Sequence, residues 1–257
     1  MNFIQSILLA IIEGLTEFLP VSSTGHMILA SSLMKIGEDD FVKTFEISIQ
    51  IGAILAIVLM YARRFLQGIT IYLKLGAAFL PTAVIGFTAY HFIKDYLFNP
   101  LVVVASLVIG GIILILIDKR IDRQGQAVES LEKISYRNAF FIGLFQCFSM
   151  IPGVSRAAAT IIGGIFNGLD KKQAMEFSFL LAVPTMFAAA GYDLLKTPVH
   201  FTREEIYLLA AGLIIAFVAA WMAVKAFLKF VENYGFKYFG YYRIIIGIIF
   251  LILIREF

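Results

Sequence analysis

The length of its apolar runs constrains this chain most. From Leu101 to Ile117 the only polar side chain is Ser106. A transmembrane helix needs about 20 mostly apolar residues, and six stretches approach that: roughly 44–61, 72–93, 100–117, 174–194, 205–228 and 240–256. Composition leaves no other use for them. Of 257 residues, 60% are hydrophobic and 15% charged, against roughly 45–50% and about 25% in soluble domains. A soluble domain so composed would expose apolar surface with no polar cover, and a disordered chain is excluded on the same ground. Phe and Tyr scattered through the runs suit lipid-facing and interfacial positions. The expectation is an all-α polytopic membrane protein, residues 1–257 forming a single integral membrane domain.

Two further apolar stretches, 3–34 and 138–168, do not read as spans. Each is broken in the middle by a polar knot: Pro20-Val-Ser-Ser-Thr-Gly-His26 in one, Pro152-Gly-Val-Ser-Arg156 in the other. Each half is too short to cross alone. Irregular backbone at membrane depth is tolerated only where protein buries it or it lines a wet cavity. Both stretches therefore read as re-entrant helical hairpins whose tips point into the bilayer interior. The spacing Pro20 to Pro152 equals that of Ser23 to Ser155, and Phe45-Glu46-x-Ser48 is echoed by Glu176-Phe177-Ser178. This implies two repeat halves, approximately 1–125 and 126–257, each with one hairpin and three spans. Halves with an odd number of spans must be oppositely oriented, as in inverted-topology repeats.

Charge sets the orientation. Of the 21 Lys and Arg, 14 fall on the face reached after the first full span, among them Arg63, Arg64, Lys171 and Lys172; 6 fall on the other, and Arg156 lies in the second hairpin. By the positive-inside rule the first face is cytoplasmic. Both termini and the first hairpin then belong to the outer side. A net charge of +3, without basic runs interleaved with aromatics, argues for no nucleic-acid partner. The single Cys147 cannot form an internal disulfide. No Lys or Arg precedes Lys35, so the N-terminal stretch lacks the basic region of a secretory signal and is expected to be retained.

Three groups carry chemistry. Glu13 and Glu17, four apart in an apolar helix, share one face. Intramembrane carboxylates usually face a cavity or a partner, and such a pair can hold a divalent ion through oxygen ligands. An interfacial pair near the outer headgroups, or two acids each bonded to a hydroxyl such as Thr16, is the plainer alternative. Next comes Ser22-Ser23-Thr24-Gly25-His26. Its hydroxyls suit helix N-caps, but a hydroxyl three residues from an imidazole is also the minimal activated nucleophile, and a helix N-terminus attracts anions. Last, Arg156 sits among apolar residues and needs a counter-charge. It is either an ion-pair partner of Glu13 or Glu17, or a phosphate clamp, and the two roles are compatible. Glu46 and Glu176 read as helix-dipole placements. Gln50, Gln146 and Ser178 read as interhelical contacts. His91 and His200 sit near loop boundaries without ligand-spaced partners, and Asp193 and Trp221 read as interfacial.

The run Glu13-Gly-Leu-Thr-Glu17-Phe-Leu-Pro-Val-Ser-Ser-Thr-Gly-His26, with Pro152-Gly-Val-Ser-Arg156, resembles the bacterial undecaprenyl-pyrophosphate phosphatase family, also known as the bacitracin-resistance protein family. Supporting stretches are Lys43-Thr-Phe-Glu46, Tyr136-Arg-Asn-Ala-Phe140 and Glu176-Phe-Ser-Phe-Leu-Leu-Ala-Val-Pro184. The resemblance covers essentially the whole chain. It implies a multi-pass protein of the bacterial plasma (inner) membrane that removes the terminal phosphate of undecaprenyl pyrophosphate. The product is the lipid carrier for peptidoglycan synthesis, hence the link to bacitracin resistance. It also implies a divalent cation, Mg2+ or Ca2+, on Glu13 and Glu17, with Ser23, His26 and Arg156 as the other catalytic positions. A polyprenyl pyrophosphate and membrane lipids are the implied partners; a homodimer is compatible with the chain, which fixes no oligomeric state. The family's second motif usually continues Ser-Arg-Ser-Gly, where this chain has Ser155-Arg156-Ala157-Ala158. Thr160 is the expected substitute for the missing hydroxyl.

The mechanism expected from these residues has Ser23 attacking phosphorus with His26 as general base. Glu13 and Glu17 hold the ion or orient His26, and Arg156 and the helix N-termini stabilise the phosphoryl oxygens. Ser22, Thr24, Gly25, Gly153, Ser155 and Thr160 would contact substrate. The pocket is expected to open to the outer, periplasmic side. Direct attack by His26 or a metal-bound water is the variant. The rival class is a transporter or flippase of a lipid phosphate or small anion, which shares broken helices and inverted repeats. A structural scaffold would leave both Glu and Arg156 unexplained.

Overall fold

A computed structural model of the chain describes residues 1–92, 97, 99–121, 130–196 and 201–254. Helices start where a polar side chain can cap free N–H groups. Asn2 and Gln5 form a capping box at α1, Phe3–Thr16, and Asp39 accepts from Phe41 N–H at α3, Asp40–Met60. Thr202 and Glu205 do the same at α10, Arg203–Tyr234. Four N–H groups at each helix start have no partner within the helix, so these caps mark where chain emerges from apolar surroundings.

The remaining helices are α2, Ser23–Leu33; α4, Ala62–Phe65; α5, Ile69–Phe92; α6, Pro100–Ile121; α7, Tyr136–Cys147; α8, Arg156–Phe166; α9, Lys171–Lys196; and α11, Lys237–Ile254. Among the described residues there is no strand. Among the described residues five helices, α3, α5, α6, α9 and α10, are long and apolar enough to cross a membrane. The sixth predicted span corresponds to α11, which lies along α6. Pro81 and Pro184 sit inside α5 and α9, which neighbouring helices in a bundle make tolerable. His200 lies outside the described residues.

The expected half-crossings are the helix pairs α1–α2 and α7–α8. At about 1.5 Å per residue, the 14 residues of α1 reach roughly 21 Å, short of the ~30 Å hydrocarbon layer. Helix α1 packs on α10, and α7 packs on α5, while α3 meets α9 and α6 meets α11. Exchanging the two halves maps the first contact onto the second and the other two onto themselves. A Cβ on Gly111 would lie 2.6 Å from the Gly240 carbonyl oxygen, and one on Gly240 would lie 2.5 Å from that of Gly111. The α6–α11 crossing is thus as reciprocal as its place in the exchange requires.

Contacts at the ends of the bundle group the chain as its charges predict. Arg64, after α3, bonds Glu132, before α7, and Glu176, in the first turns of α9. Lys171 pairs with Asp118 at 3.8 Å, and Asp118 accepts from Phe236 N–H. The Glu132 carboxyl is held below the usual carboxylate range, chiefly by a backbone bond, with Ser130, Arg64 and Lys74 adding to it. At the other end the N-terminal amine lies 3.5 Å from Asp39, and Phe41 meets Phe201 edge to face. So α1 starts at one end of the bundle and α7 at the other.

Candidate active site

The two tips are built alike. After α1 the chain turns through Phe18-Leu-Pro-Val21 to Ser22, whose side chain caps α2 by accepting from Gly25 N–H. After α7 it turns through Pro152-Gly-Val154 to Ser155, which caps α8 by accepting from Ala158 N–H. Both serines have positive φ, 71° and 69°. That is uncommon for a residue with a Cβ and costs on the order of 1–3 kcal/mol each. The structural repeat therefore aligns Ser22 with Ser155, which corrects by one residue the register set by Pro20 with Pro152. In that register Ser23 stands opposite Arg156, and Glu13 opposite Gln146. Gly153, at φ 92°, could bear no side chain, since a Cβ would lie 2.6 Å from the Val103 carbonyl oxygen.

The tips touch where the Ser155 hydroxyl donates to the Leu19 carbonyl at 3.4 Å. Between them is a cavity of about 150 Å³, lined by Glu17, Ser22, Ser23 and Thr24 from the first tip and Ser149, Pro152, Gly153, Ser155 and Arg156 from the second, with Gln50 of α3 and Met186 of α9. Glu17 links its two sides. The Ser23 hydroxyl donates to Glu17 Oε2. Arg156 Nη2 donates to Glu17 Oε1 at 3.0 Å. One carboxylate thus joins a hydroxyl of one tip to a guanidinium of the other. Arg156 is further held by the Ser178 carbonyl at 3.2 Å, by Met186 Sδ at 3.2 Å and by the Phe18 ring at 5.3 Å. Its Nε is buried without a partner among the described residues.

Several predicted positions have other tasks. The expected Ser23–His26 pair is not formed. His26 Nδ1 meets the Ser22 carbonyl at 2.8 Å and Nε2 meets the Tyr242 hydroxyl at 2.8 Å, so both ring nitrogens are occupied and His26 does not line the cavity. Thr160 is fully buried and bonds the Arg156 carbonyl and Ser178 Oγ. It supports Arg156 from behind rather than replacing the hydroxyl missing at Ala157, which is itself packed in the core. Gly25 is buried against Val103 beneath the tip. Glu13 lies one turn below Glu17, buried, in the fields of Glu17, Glu46 and Arg156.

Other residues matter more than their sequence setting shows. Gln50 lines the cavity, Ser178 holds Arg156, and Tyr242 fixes His26. Only the polarity of Gln50 and Ser178 inside apolar spans pointed to them. Gln146 is the expected interhelical contact, bonding Thr82 and Thr185. Glu176 pairs with Arg64 rather than serving the helix dipole alone.

Among the described residues, Glu13 Oε1 is buried with no hydrogen-bond partner, and so is Glu46 Oε1. No group of three His, Cys, Asp or Glu among the described residues is arranged to hold a metal. The unpartnered Glu13 oxygen, one turn from Glu17, is the kind of hard donor that a cation such as Mg2+ accepts beside water and phosphate oxygens.

An all-helical multi-pass membrane protein with a carboxylate, a serine and an arginine converging at two broken helix tips is equipped to bind and attack an anionic group such as a phosphoryl. The chain belongs to the bacitracin resistance protein BacA family, whose model matches residues 6–249. It is 50% identical over 251 residues to the undecaprenyl-diphosphatase of Wolinella succinogenes, covering 98% of each chain. Similar relatives of the same name occur in Persephonella marina, 50% identical over 99% of this chain and 100% of the relative, and in Aquifex aeolicus, 49% identical over 96% of each.

Proposed function

We propose that the chain hydrolyses undecaprenyl diphosphate to undecaprenyl phosphate and inorganic phosphate, recycling the lipid carrier of cell-wall synthesis. The observation that carries this is the carboxylate of Glu17 joining Ser23 to Arg156 in a cavity between two tips. Ser23 Oγ attacks the terminal phosphorus while its proton passes to Glu17. The phosphoanhydride bond breaks, and the lipid monophosphate leaves with the bridging oxygen. Water then attacks the phosphoserine, freeing phosphate and restoring the hydroxyl. Arg156 stabilises charge on the phosphoryl oxygens. A diphosphate entering the cavity competes with Glu17 for that guanidinium, which leaves the carboxylate beside Ser23 to accept the hydroxyl proton. The proton acceptor is therefore Glu17, with His26 a support of the tip.

A divalent cation, which when bound would neutralise phosphate charge, would be held chiefly by Glu13, whose Oε1 is free among the described residues, with Glu17 one turn away kept for the proton. The lipid tail has a neighbouring apolar cleft. A 330 Å³ cavity between α5 and α9 is lined by Phe79, Thr82, Phe87, Met150 and Thr185 among others, and Met150 and Thr185 are the chain neighbours of Ser149 and Met186, which line the polar cavity.

The two helix pairs act as re-entrant hairpins of an inverted repeat, entering from opposite faces. Their lengths, their starts at opposite ends and the exchange of helix contacts support this. The basic face is cytoplasmic, and the first hairpin enters from the outer side of the inner membrane. The decisive assay is phosphate release from undecaprenyl diphosphate by purified protein in detergent. The inverted contacts also suit a transporter, which would move lipid across sealed vesicles and release no phosphate.

A further inference from the structure

Arg243 is fully buried in α11, and among the described residues the partners of its guanidinium are all backbone carbonyls. Nε donates to Leu107 at 3.3 Å. Nη1 donates to Pro20 at 3.1 Å and to Val154 at 3.0 Å. Nη2 donates to Ser106 at 3.0 Å and to Gly153 at 2.8 Å. Five bonds match the five N–H donors of the group. One acceptor belongs to the first tip, two to the second and two to α6. No carboxylate pairs with it among the described residues. A buried charge without a counter-ion is costly, and here it is spread over carbonyl dipoles at the place where two irregular turns meet. Room for it comes from Gly110, where a Cβ would lie 2.3 Å from Nη2. The preceding residue, Tyr242, holds His26.

We infer that Arg243 is a positioning residue for the hydrolysis proposed above: it clamps the two tips together by their carbonyls and so fixes the distance between Ser23 and Arg156. It touches neither reacting side chain. Lysine would keep the charge but offers three donors from one point, which cannot serve carbonyls on three segments. Misplacing reacting groups by about 1 Å can cost on the order of a hundredfold.

The test uses the full chain in detergent. In Arg243→Lys, kcat for phosphate release falls on the order of a hundredfold while KM stays within about threefold. Amide exchange quickens in peptides covering 17–24 and 149–156 but not in those from α10. Gly110→Ala, which keeps the charge but displaces the guanidinium, gives the same pattern more weakly; Gly191→Ala, with nothing within 4 Å of its added Cβ, does not. A raised KM with unchanged kcat would mean that Arg243 binds the anion directly, and overturns the inference. So do wild-type kinetics or uniform exchange in both variants, or a Gly110→Ala chain that does not fold. If Arg243→Lys does not fold, Gly110→Ala decides. A wild type that releases no phosphate defeats the hydrolase reading alone, because the exchange pattern still judges the clamp.

Discussion

Ser22 and Ser155 hold a backbone conformation that disfavours any residue with a side chain, and both line the cavity. Strain of this kind persists where surroundings over-determine it; here the caps, the tip contact and Arg243 do so. Beside them, the two ends of the Glu17 carboxylate make different predictions. Ser23→Ala removes the proposed nucleophile and should lower phosphate release by at least about a thousandfold, with the protein still folded. Glu17→Gln should fall as far, since it loses both the proton acceptor and the partner of Arg156. His26→Gln should fall much less, because its ring serves the tip. Equal losses in Ser23→Ala and His26→Gln, read from single-turnover rates, would restore the imidazole as base. Arg156→Lys keeps the charge and loses the fork, so a drop of roughly 10²–10³ in kcat is expected in the same assay. Glu17, Ser23 and Arg156 were legible in the sequence because charge and paired hydroxyls are expensive in an apolar run. The base was not. Spacing along one helix put His26 beside Ser23, whereas Tyr242, 216 positions away, takes up its outward nitrogen.

The hairpins show what element-level patterns reveal and where they stop. A Pro-containing polar knot inside a run too short for two spans is enough to announce a broken helix pair, and both pairs are present as expected. The register was off by one, because prolines mark a turn without fixing which residue caps the next helix. The close approaches were also hidden. At Gly143 an added Cβ would lie 2.0 Å from the Ala78 carbonyl oxygen, so α7 rides directly on the backbone of α5. At Gly14 the distance to the Ala216 carbonyl oxygen is 2.6 Å, in the matching contact of α1 with α10. Backbone cannot yield as a flexible side chain can. Gly143→Ala should therefore destabilise the protein by about 1–3 kcal/mol, as overpacking commonly does, and lower activity by shifting the second tip. Thermal unfolding in detergent checks this, with Gly191→Ala expected to melt with the wild type.

At the scale of the whole molecule the fold is a polar joint inside an apolar bundle, and which side it faces decides which lipid headgroups reach it. The basic face carries Arg64 paired with Glu132 and Glu176, and Lys171 paired with Asp118; the opposite end holds the N-terminal amine against Asp39. Glu38 and Gln67 are exposed at the two ends, on either side of the span α3. The orientation argued from charge makes position 38 external and position 67 cytoplasmic. In a Cys147→Ser background, a membrane-impermeant maleimide applied to intact spheroplasts should label Glu38→Cys. It should label Gln67→Cys only after the membrane is opened. The reverse pattern would put the first hairpin on the cytoplasmic side, and the enzyme would then draw its substrate from the inner leaflet. Because α1 starts beside position 38 and α7 beside Glu132, this one pair of labels fixes the entry side of both hairpins.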